Sequence, residues 1–327
     1  MQRRAMLALA AAAGLLPALP GHAAAPETFR VGVLKFGTVS WELDVIKHHG
    51  LDAKEGFTLD VQAFAGNDAA DVALMGDAVD AIVEDWLWVS RQRSDGVPLS
   101  FVPYSSNIGA VVVKADGPVH SLADLKGRKL GVTGGPLDKG WLLLQAYAHD
   151  KAGIDLAKEA EPVFGAPPLL TEKLKSGELD AVLNYWNYAA RLEAEGYRRL
   201  IEGTAVQEAF GVPASTPQLG YVFKDATAAS KGATIEAFVR ASRAAKEVMR
   251  TSDAEWERLK PVTRAESDAV QAAFMRRYRE GIVERWGEAE REAAAKLFQV
   301  LAGLGGERLV GKGQTLAPGT FWPNVSF

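Results

Sequence analysis

The chain has 327 residues, a net charge of −4, 48% hydrophobic residues and no cysteine. This length fits two domains with full cores, and the ordinary apolar and charged fractions exclude a disordered chain. The lack of cysteine excludes disulfides, thiolate metal sites, cysteine nucleophiles and a lipidated cysteine anchor. The acidic balance, without a Lys/Arg stripe, argues against nucleic acid as a partner.

The N-terminus has the pattern of an export signal. Met1 to Arg4 is basic, residues 5–16 form a short apolar run, and small residues follow at 21–25. We expect residues 1–23 to be a signal peptide cleaved near Ala23, which places the mature protein in the periplasm. The apolar run is too short to span a bilayer, although an uncleaved anchor stays an alternative. Arg3-Arg4 leaves open whether export uses the general or the twin-arginine route.

Short apolar and alternating runs predict strands that alternate with helices. Asn67 is expected to cap one helix, and Pro136 is expected to occupy the first turn of another. After residue 223 apolar residues recur at helical spacing, which predicts a helical C-terminus. The predicted strands cover 28–34, 57–61, 99–104, 108–114, 129–133, 161–164, 199–201 and 219–223, and the predicted helices 41–49, 67–75, 134–149 and 169–176, with a helical turn at 121–127.

Two stretches one hundred residues apart repeat one another. Residues 80–91 (DAIVEDWLWVSR) and 180–191 (DAVLNYWNYAAR) share Asp, Ala, Trp and Arg in register. Val31-Gly32-Val33 leads to Trp41 as Leu130-Gly131-Val132 leads to Trp141. Each copy predicts a buried strand followed by a turn into a helix, the place where open α/β sheets bind ligands. We therefore predict two similar α/β lobes around a shared cleft; the alternative is coincidence between two strand-to-helix turns.

Four segments carry a resemblance to a known family. They are VGVLKFG near the mature N-terminus, GDAVDAIVED, SLADLKGRKLGVTGG and SGELDAVLNYW. Together with the leader, they resemble the periplasmic solute-binding proteins of ABC importers. Within these, the chain is similar to the nitrate/sulfonate/taurine and thiamine-precursor group, which has the type II two-lobe fold.

The resemblance implies an α/β fold in which each lobe is a mixed sheet flanked by helices. Lobe 1 would comprise residues 28–104 and 219–327 with the helical C-terminus, and lobe 2 residues 108–213. Two crossovers near 105–107 and 214–218 would form the hinge. The implied protein is a monomer that closes over a small-molecule ligand and presents it to a permease in the inner membrane. It would need no cofactor and no metal, and would not be an enzyme.

Loops at the predicted strand ends supply the candidate ligand-binding residues. Flat aromatic walls and carboxylates suit an organic solute with an aromatic, cationic or hydroxylated part. Trp86 and Trp186 are the leading candidates. The full set is Lys35, Phe36, Gly37, Thr38, Trp41, Glu84, Asp85, Trp86, Ser105, Ser106, Asn107, Thr133, Gly134, Gly135, Asp138, Asn184, Tyr185 and Trp186.

Several of these residues have a second interpretation. Asp85 could cap the helix that begins at Trp86, and Trp41 could belong to the core. Thr133-Gly134-Gly135 before a helix, with Lys35, could bind a sulfonate or carboxylate instead. A ligand with both an acid and an amine would satisfy both readings. His48-His49 are adjacent and should point to different faces of a helix, which indicates surface residues and not metal ligands.

Two other functions stay open at this point. One is an enzyme on the same fold, such as the menaquinone-pathway dehydratases or the related pyrimidine synthase. The export signal argues against both, and the synthase relies on a Cys-rich stretch that this chain lacks. The other is a binding protein that senses its ligand and transports nothing.

Overall fold

The computed structural model describes residues 26–327. The signal peptide predicted for residues 1–23 lies outside the described residues. Within residues 26–327, none of the helices combines the length and apolar character needed to cross a membrane.

In the part of the chain that the structure describes, ten strands form two sheets of the same design. The first has the order β2-β1-β3-β10-β4, in which β1 meets β3 through the Val31–Ala81 bridge, and the second has the order β7-β6-β8-β5-β9. In each sheet one strand, β10 or β5, lies antiparallel to both neighbours. The strands are β1 (Glu27–Leu34), β2 (Phe57–Phe64), β3 (Ile82–Asp85), β4 (Leu99–Ser105), β5 (Ala110–Val113), β6 (Lys129–Thr133), β7 (Glu161–Gly165), β8 (Ala181–Asn184), β9 (Arg198–Glu202) and β10 (Leu219–Lys224).

Helices flank both sheets, and the end of the chain is helical. The helices are α1 (Val39–His48), α2 (Leu51–Lys54), α3 (Asn67–Met75), α4 (Trp86–Ser94), α5 (Lys139–Ala152), α6 (Leu156–Glu159), α7 (Pro167–Ser176), α8 (Trp186–Ala194), α9 (Gly203–Ala209), α10 (Asp225–Thr251), α11 (Asp253–Arg258), α12 (Lys260–Thr263), α13 (Asp268–Glu280) and α14 (Glu288–Val310). Non-helical backbone at Lys231 and Gly306 interrupts α10 and α14.

The chain leaves the first sheet after β4 and returns to it at β10. This architecture confirms the predicted fold class, two α/β lobes with two crossovers and a helical C-terminus. The division into residues 28–104 and 219–327 against 108–213 stays a prediction.

The repeated aspartates have the same structural role in both lobes. The Asp80 carboxylate accepts a hydrogen bond from the Arg30 backbone N–H at 2.8 Å, and the Asp180 carboxylate accepts one from the Lys129 N–H at 3.0 Å. In each case the aspartate's own N–H donates back to the same residue's carbonyl. The aspartate therefore fixes the start of β3 beside β1, and of β8 beside β6.

The repeated glycines also match. A Cβ atom at Gly32 would lie 2.9 Å from the Phe64 ring and 3.1 Å from Ile82, and one at Gly131 would lie 2.7 Å from Leu179 and 3.1 Å from Val182. Side chains therefore fill the space beside β1 and β6 at these two positions, and a larger residue at either would require its neighbours to shift.

Two helix starts differ from the sequence-based expectation. Asn67 is the first residue of α3, after Gly66, and its side chain makes no capping bond. Helix α5 begins at Lys139, and not at Pro136, because the Asp138 carboxylate accepts the Trp141 N–H at 3.1 Å. A side-chain cap of this kind sets the start of a helix more strongly than a proline in the preceding loop.

An aromatic cluster joins the two halves of the molecule. Trp41 of α1 lies edge-to-face with Trp186 of α8, with 5.7 Å between ring centroids. Trp41 also contacts Phe274 of α13 at 5.1 Å, and Tyr278 lies 6.4 Å from Trp186. Edge-to-face aromatic pairs are worth about 0.5–1.5 kcal/mol each beyond the area they bury. The contact therefore orients α8 against α1 and α13.

Candidate functional site

The loops that follow β3, β6 and β8 come together between the two sheets. The Lys139 ammonium at the start of α5 forms an ion pair with the Asp85 carboxylate at the end of β3, at 2.8 Å. Tyr185, which follows β8, is close enough to Glu84 and Asp85 for their charges to raise the pKa of its hydroxyl. Glu84, Asp85, Asp138 and Tyr185, all predicted from sequence, therefore lie in one cleft, which we call the acidic cleft.

Glu84 lies deepest in the acidic cleft, with only 8% of its surface exposed. Burial raises the pKa of its carboxyl group to about 8, and the neighbouring charges of Asp85 and Asp71 add to the effect. The Asp85 N–H, which donates to Glu84 Oε2 at 3.2 Å, and Lys139 act in the opposite direction. Near neutral pH this carboxyl group is therefore mostly protonated, and a positive charge placed beside it would favour its ionised form.

Asp71 of α3 belongs to the same group and was missed by the sequence reasoning. Burial raises the pKa of its carboxyl to about 6, with a contribution from Asp68. Its Oδ1 atom is buried and has no hydrogen-bond partner among the described residues. The sequence does contain a pattern that points to Asp71. Asp68 and Asp71 are three residues apart and therefore share one face of a predicted helix.

Tyr185 is the aromatic residue that the acidic cleft leaves open, since 46% of its surface is exposed. Burial of the hydroxyl end raises its pKa to about 12, and Asp138, Glu84 and Asp85 contribute. Burial also raises the pKa of Asp138, although the Trp141 N–H bond and Lys139 act against it. An exposed ring with carboxyl groups along one edge can stack on a flat solute and accept hydrogen bonds from it.

The two tryptophans expected to form the ligand walls are buried. Trp86 is 1% exposed, packs against Phe321, and donates its indole N–H to the Pro217 carbonyl at 2.9 Å. This placement leaves Trp86 no open face and argues against the predicted contact; its hydrogen bond ties α4 to the segment before β10. Trp186 packs on Trp41, as the core interpretation of Trp41 anticipated, whereas Tyr185, one residue earlier, is exposed.

Asp85 does cap helix α4, because its Oδ1 accepts the Trp88 N–H at 2.7 Å. It also faces the acidic cleft through Lys139, so the capping and cleft interpretations hold together. Asn184 is fully engaged inside the protein: its Oδ1 accepts from Thr133 Oγ1 and from the Tyr185 N–H, both at 2.9 Å. Thr133 and Asn184 therefore position Tyr185 and leave no polar group free for a solute.

The alternative anion site at Gly134-Gly135 is not favoured by the geometry. The two glycines lie in a loop ahead of α5, whose first turn is already capped by the carboxylate of Asp138. An anion at this helix start would meet that carboxylate at short range. Lys35 lies far along the chain from these glycines, in the loop after β1. Lys35 and Phe36 are exposed to solvent, and the Gly37 N–H donates a hydrogen bond to the Leu34 carbonyl. Thr38 then leads into α1.

The three predicted crossover residues lie apart from the acidic cleft. The Ser106 N–H donates to the Gly281 carbonyl at 3.1 Å, the Ser105 Oγ accepts from the Asn107 N–H, and the Asn107 amide donates to the Arg277 carbonyl. Ser106, Asn107 and Trp186 line a separate cavity of about 590 Å³ beside the end of α13. Ser105–Asn107 therefore support the crossover mechanically, and their hydrogen bonds are made within the protein.

The fold recurs in solved structures. The periplasmic aliphatic sulphonate binding protein SsuA from Escherichia coli aligns with a TM-score of 0.72 at 20% identity, covering 91% of this chain and 98% of that one. The alkanesulfonate-binding protein SsuA from Xanthomonas axonopodis pv. citri, bound to MOPS, gives 0.68 at 18% identity, with 92% and 99% covered. An ABC transporter protein from Parabacteroides distasonis gives 0.67 at 14% identity, with 90% and 98% covered.

At these identities the likeness concerns the fold, which is that of periplasmic solute-binding proteins. No curated protein sequence matches the chain. The sequence pattern of the NMT1/THI5-like family matches residues 44–255, which include β3, β6 and β8 and every residue of the acidic cleft. The chain belongs to the NMT1/THI5-like family.

Proposed function

We propose that this chain is an exported, periplasmic solute-binding protein that delivers a small organic solute to the permease of an ABC importer. Family membership and the shared fold support the general role. The observation that carries the solute class is the convergence of Glu84, Asp85 and Asp138 on the partly exposed Tyr185, with Asp71 close to Glu84. The preferred solute has a flat or aromatic body and a cationic or hydroxylated head.

The charge of the acidic cleft supports this choice. Glu84, Asp85 and Asp138 lie near one ammonium group, that of Lys139, which is already paired with Asp85 at 2.8 Å. Burial raises the pKa values of Glu84, Asp71 and Asp138, so a solute cation would favour their ionised forms, whereas a sulfonate or nitrate would be repelled by the ionised groups. Stacking of a cationic ring on Tyr185 would add about 0.5–2 kcal/mol, depending on how completely the contact excludes water.

Closure of the two lobes would follow from shared contacts. Glu84, Asp85 and Asp71 belong to the first sheet and its helices, whereas Asp138 and Tyr185 follow strands of the second sheet. A solute held by both groups gains most of its contacts only when the lobes approach each other. Binding therefore favours the closed form, which the permease would recognise.

The decisive experiment identifies the solute. The mature chain is purified without refolding, and the molecule released on denaturation is analysed by mass spectrometry. We expect an amine-bearing or hydroxylated small organic molecule. Release of an alkanesulfonate or another organic anion, and its tight rebinding, would contradict the proposed solute class.

The role of Tyr185 is tested with the solute so identified. Tyr185→Ala should weaken its binding at least tenfold, about 1.4 kcal/mol, because the stacking surface is lost. Tyr188→Ala is the matched control, since Tyr188 lies on α8, the helix that begins directly after Tyr185, and is partly buried. Isothermal titration calorimetry measures both. Equal affinities for the two variants would remove Tyr185 from the site.

A further inference from the structure

A second group of ligating side chains lies away from the acidic cleft, where the end of α1 meets α11. One nitrogen from each of His48 and His49 and one carboxylate oxygen of Glu255 all lie within 4.8 Å of one another. His49 Nε2 is 3.2 Å from Glu255 Oε2. His48 is exposed, His49 is partly exposed, and the Glu255 side chain is only 6% exposed.

The adjacent histidines were expected to diverge, and the structure corrects that expectation. Helix α1 ends at His48, so His49 is the first residue beyond it and its backbone leaves the regular helical path. The two imidazole rings consequently meet edge-to-face with 4.9 Å between their centroids. Both rings reach the space in front of Glu255, which an uninterrupted helix would not allow.

The spacing suits metal coordination. In a tetrahedral site with bonds of about 2.0–2.1 Å, neighbouring ligand atoms are about 3.3 Å apart, close to the 3.2 Å between His49 Nε2 and Glu255 Oε2. A ring nitrogen of His48 lies within 4.8 Å of a ring nitrogen of His49 and of a carboxylate oxygen of Glu255. Glu255 is held in place from its other oxygen, Oε1, which accepts from Arg258 Nε at 2.9 Å and Arg258 Nη2 at 2.7 Å. Such an orienting partner is usual for a metal-bound carboxylate.

We propose that His48, His49 and Glu255 form a surface site for one divalent transition-metal ion, with Zn²⁺ as the best fit. Two imidazole nitrogens and one carboxylate oxygen are ligands that Zn²⁺, Ni²⁺ and Cu²⁺ prefer, and that Ca²⁺ and Mg²⁺ do not. The fourth position is open to water. The bound ion links the end of α1 to α11 and so stabilises the lobe that contains them.

The test is calorimetric titration of the untagged mature chain with Zn²⁺ alone. We expect one ion per chain with micromolar affinity, a higher thermal midpoint in the presence of Zn²⁺, and no binding of Mg²⁺ at the same concentration. His48→Ala should weaken the affinity at least tenfold. Because His48 is exposed, this variant leaves no cavity and should fold normally.

His149→Ala is the matched control, since His149 is an exposed histidine on the last turn of α5. It should bind Zn²⁺ as the parent chain does. The double variant His48→Ala/His49→Ala should lose the site and the thermal shift. Unchanged Zn²⁺ affinity in that double variant, or no Zn²⁺ binding by the parent chain at 100-fold molar excess, would overturn the proposal.

Discussion

Glu84 is the most buried carboxyl group of the acidic cleft, and burial raises its pKa to about 8. Its position near the end of β3 could be predicted from the repeat, in which it aligns with Asn184 at the end of β8. Its protonation behaviour could not, because that depends on burial and on Asp71, which comes from a different element. Sequence spacing places a residue along a strand, whereas the pKa of a carboxyl group follows from neighbours that only the tertiary fold brings near it.

Glu84→Gln should stabilise the protein at alkaline pH. The folded-state pKa of about 8 lies above the ordinary value of 4.5, so stability from this group is complete below pH 4.5 and is lost as the pH rises through 8. Glutamine removes the buried charge, and we expect a gain of about 1 kcal/mol or more at pH 9 that vanishes near pH 4.5. Urea unfolding at several pH values measures it, with exposed Glu284→Gln as the control. A glutamine variant that is less stable at pH 9 would contradict the burial argument.

The same carboxyl group predicts how solute affinity depends on pH. A cation favours ionised Glu84 and ionised Asp71, whose pKa values are about 8 and about 6. The affinity for a cationic solute should therefore rise from pH 5.5 to pH 9, by roughly tenfold for each unit of pKa that binding shifts. An anionic solute would show the opposite slope. Calorimetry on the co-purified solute decides between them, and Glu84→Gln should flatten the curve between pH 7 and pH 9.

Among whole elements, the central strands with their Gly and Asp positions could be predicted most securely. The repeated strand-Gly-Val pattern and the paired Asp80 and Asp180 correspond to matching sheets, and their side chains make matching contacts. Helix α5 shows that the exact start of a helix is harder to predict from the sequence. Pro136 favours a helix start in the sequence, but capping by Asp138 moves it to Lys139. That shift weakens the argument for the alternative anion site and leaves the predicted solute class, an organic molecule with an aromatic, cationic or hydroxylated part, as it was.

The two repeated aspartates should differ in their contribution to stability. Asp80 has a side chain 5% exposed and pairs with Arg30 at 2.7 Å and Lys231 at 3.1 Å, whereas Asp180 is 32% exposed and lies 3.3 Å from Arg128. Asp80→Asn should therefore cost about 3 kcal/mol, as for a broken buried pair, and Asp180→Asn about 1 kcal/mol or less.

Chemical denaturation of the two aspartate variants at pH 7 provides the measurement. Burial alone would raise the pKa of Asp80, yet hydrogen bonds from Arg30 and Lys231 hold it below its usual value of 3.8. The stability that Asp80 provides is thus present above pH 3.8 and lost as the pH falls through the lower, folded-state pKa. Equal losses for the two variants at pH 7 would show that the backbone contacts, and not the ion pairs, dominate.

At the scale of the whole molecule, the two halves meet through contacts that the sequence did not reveal. Beside the Trp41 cluster, Glu193 of α8 binds Arg276 and Arg277 of α13 at 2.6 and 3.0 Å. The buried carboxylate of Glu42 in α1 accepts hydrogen bonds from Lys246 of α10 and Tyr278 of α13, which holds α13 against α1. Two similar lobes follow from an internal repeat, but their relative placement depends on side chains from the unrepeated C-terminal helices, for which the repeat supplies no counterpart.

The Asp85–Lys139 ion pair is the contact most directly linked to closure of the acidic cleft. It joins the end of β3 to the start of α5, and both side chains are about one-fifth exposed. A partly exposed pair of this kind is worth about 1 kcal/mol, or roughly a fivefold change in the ratio of closed to open molecules. Without solute, Lys139→Gln should therefore shift the chain towards a more open form.

Because the chain has no cysteine, Lys54→Cys and Lys158→Cys introduce two specific labelling sites, one near each sheet. Energy transfer between the two dyes should fall when Lys139→Gln is added, and saturating solute should restore it. Lys151→Gln is the matched control, since Lys151 lies on the same helix but pairs with the adjacent Asp150 on the surface. If both glutamine variants leave the transfer efficiency unchanged, closure rests on the Trp41–Trp186 contact, and Trp186→Leu should then open the cleft where Lys139→Gln does not.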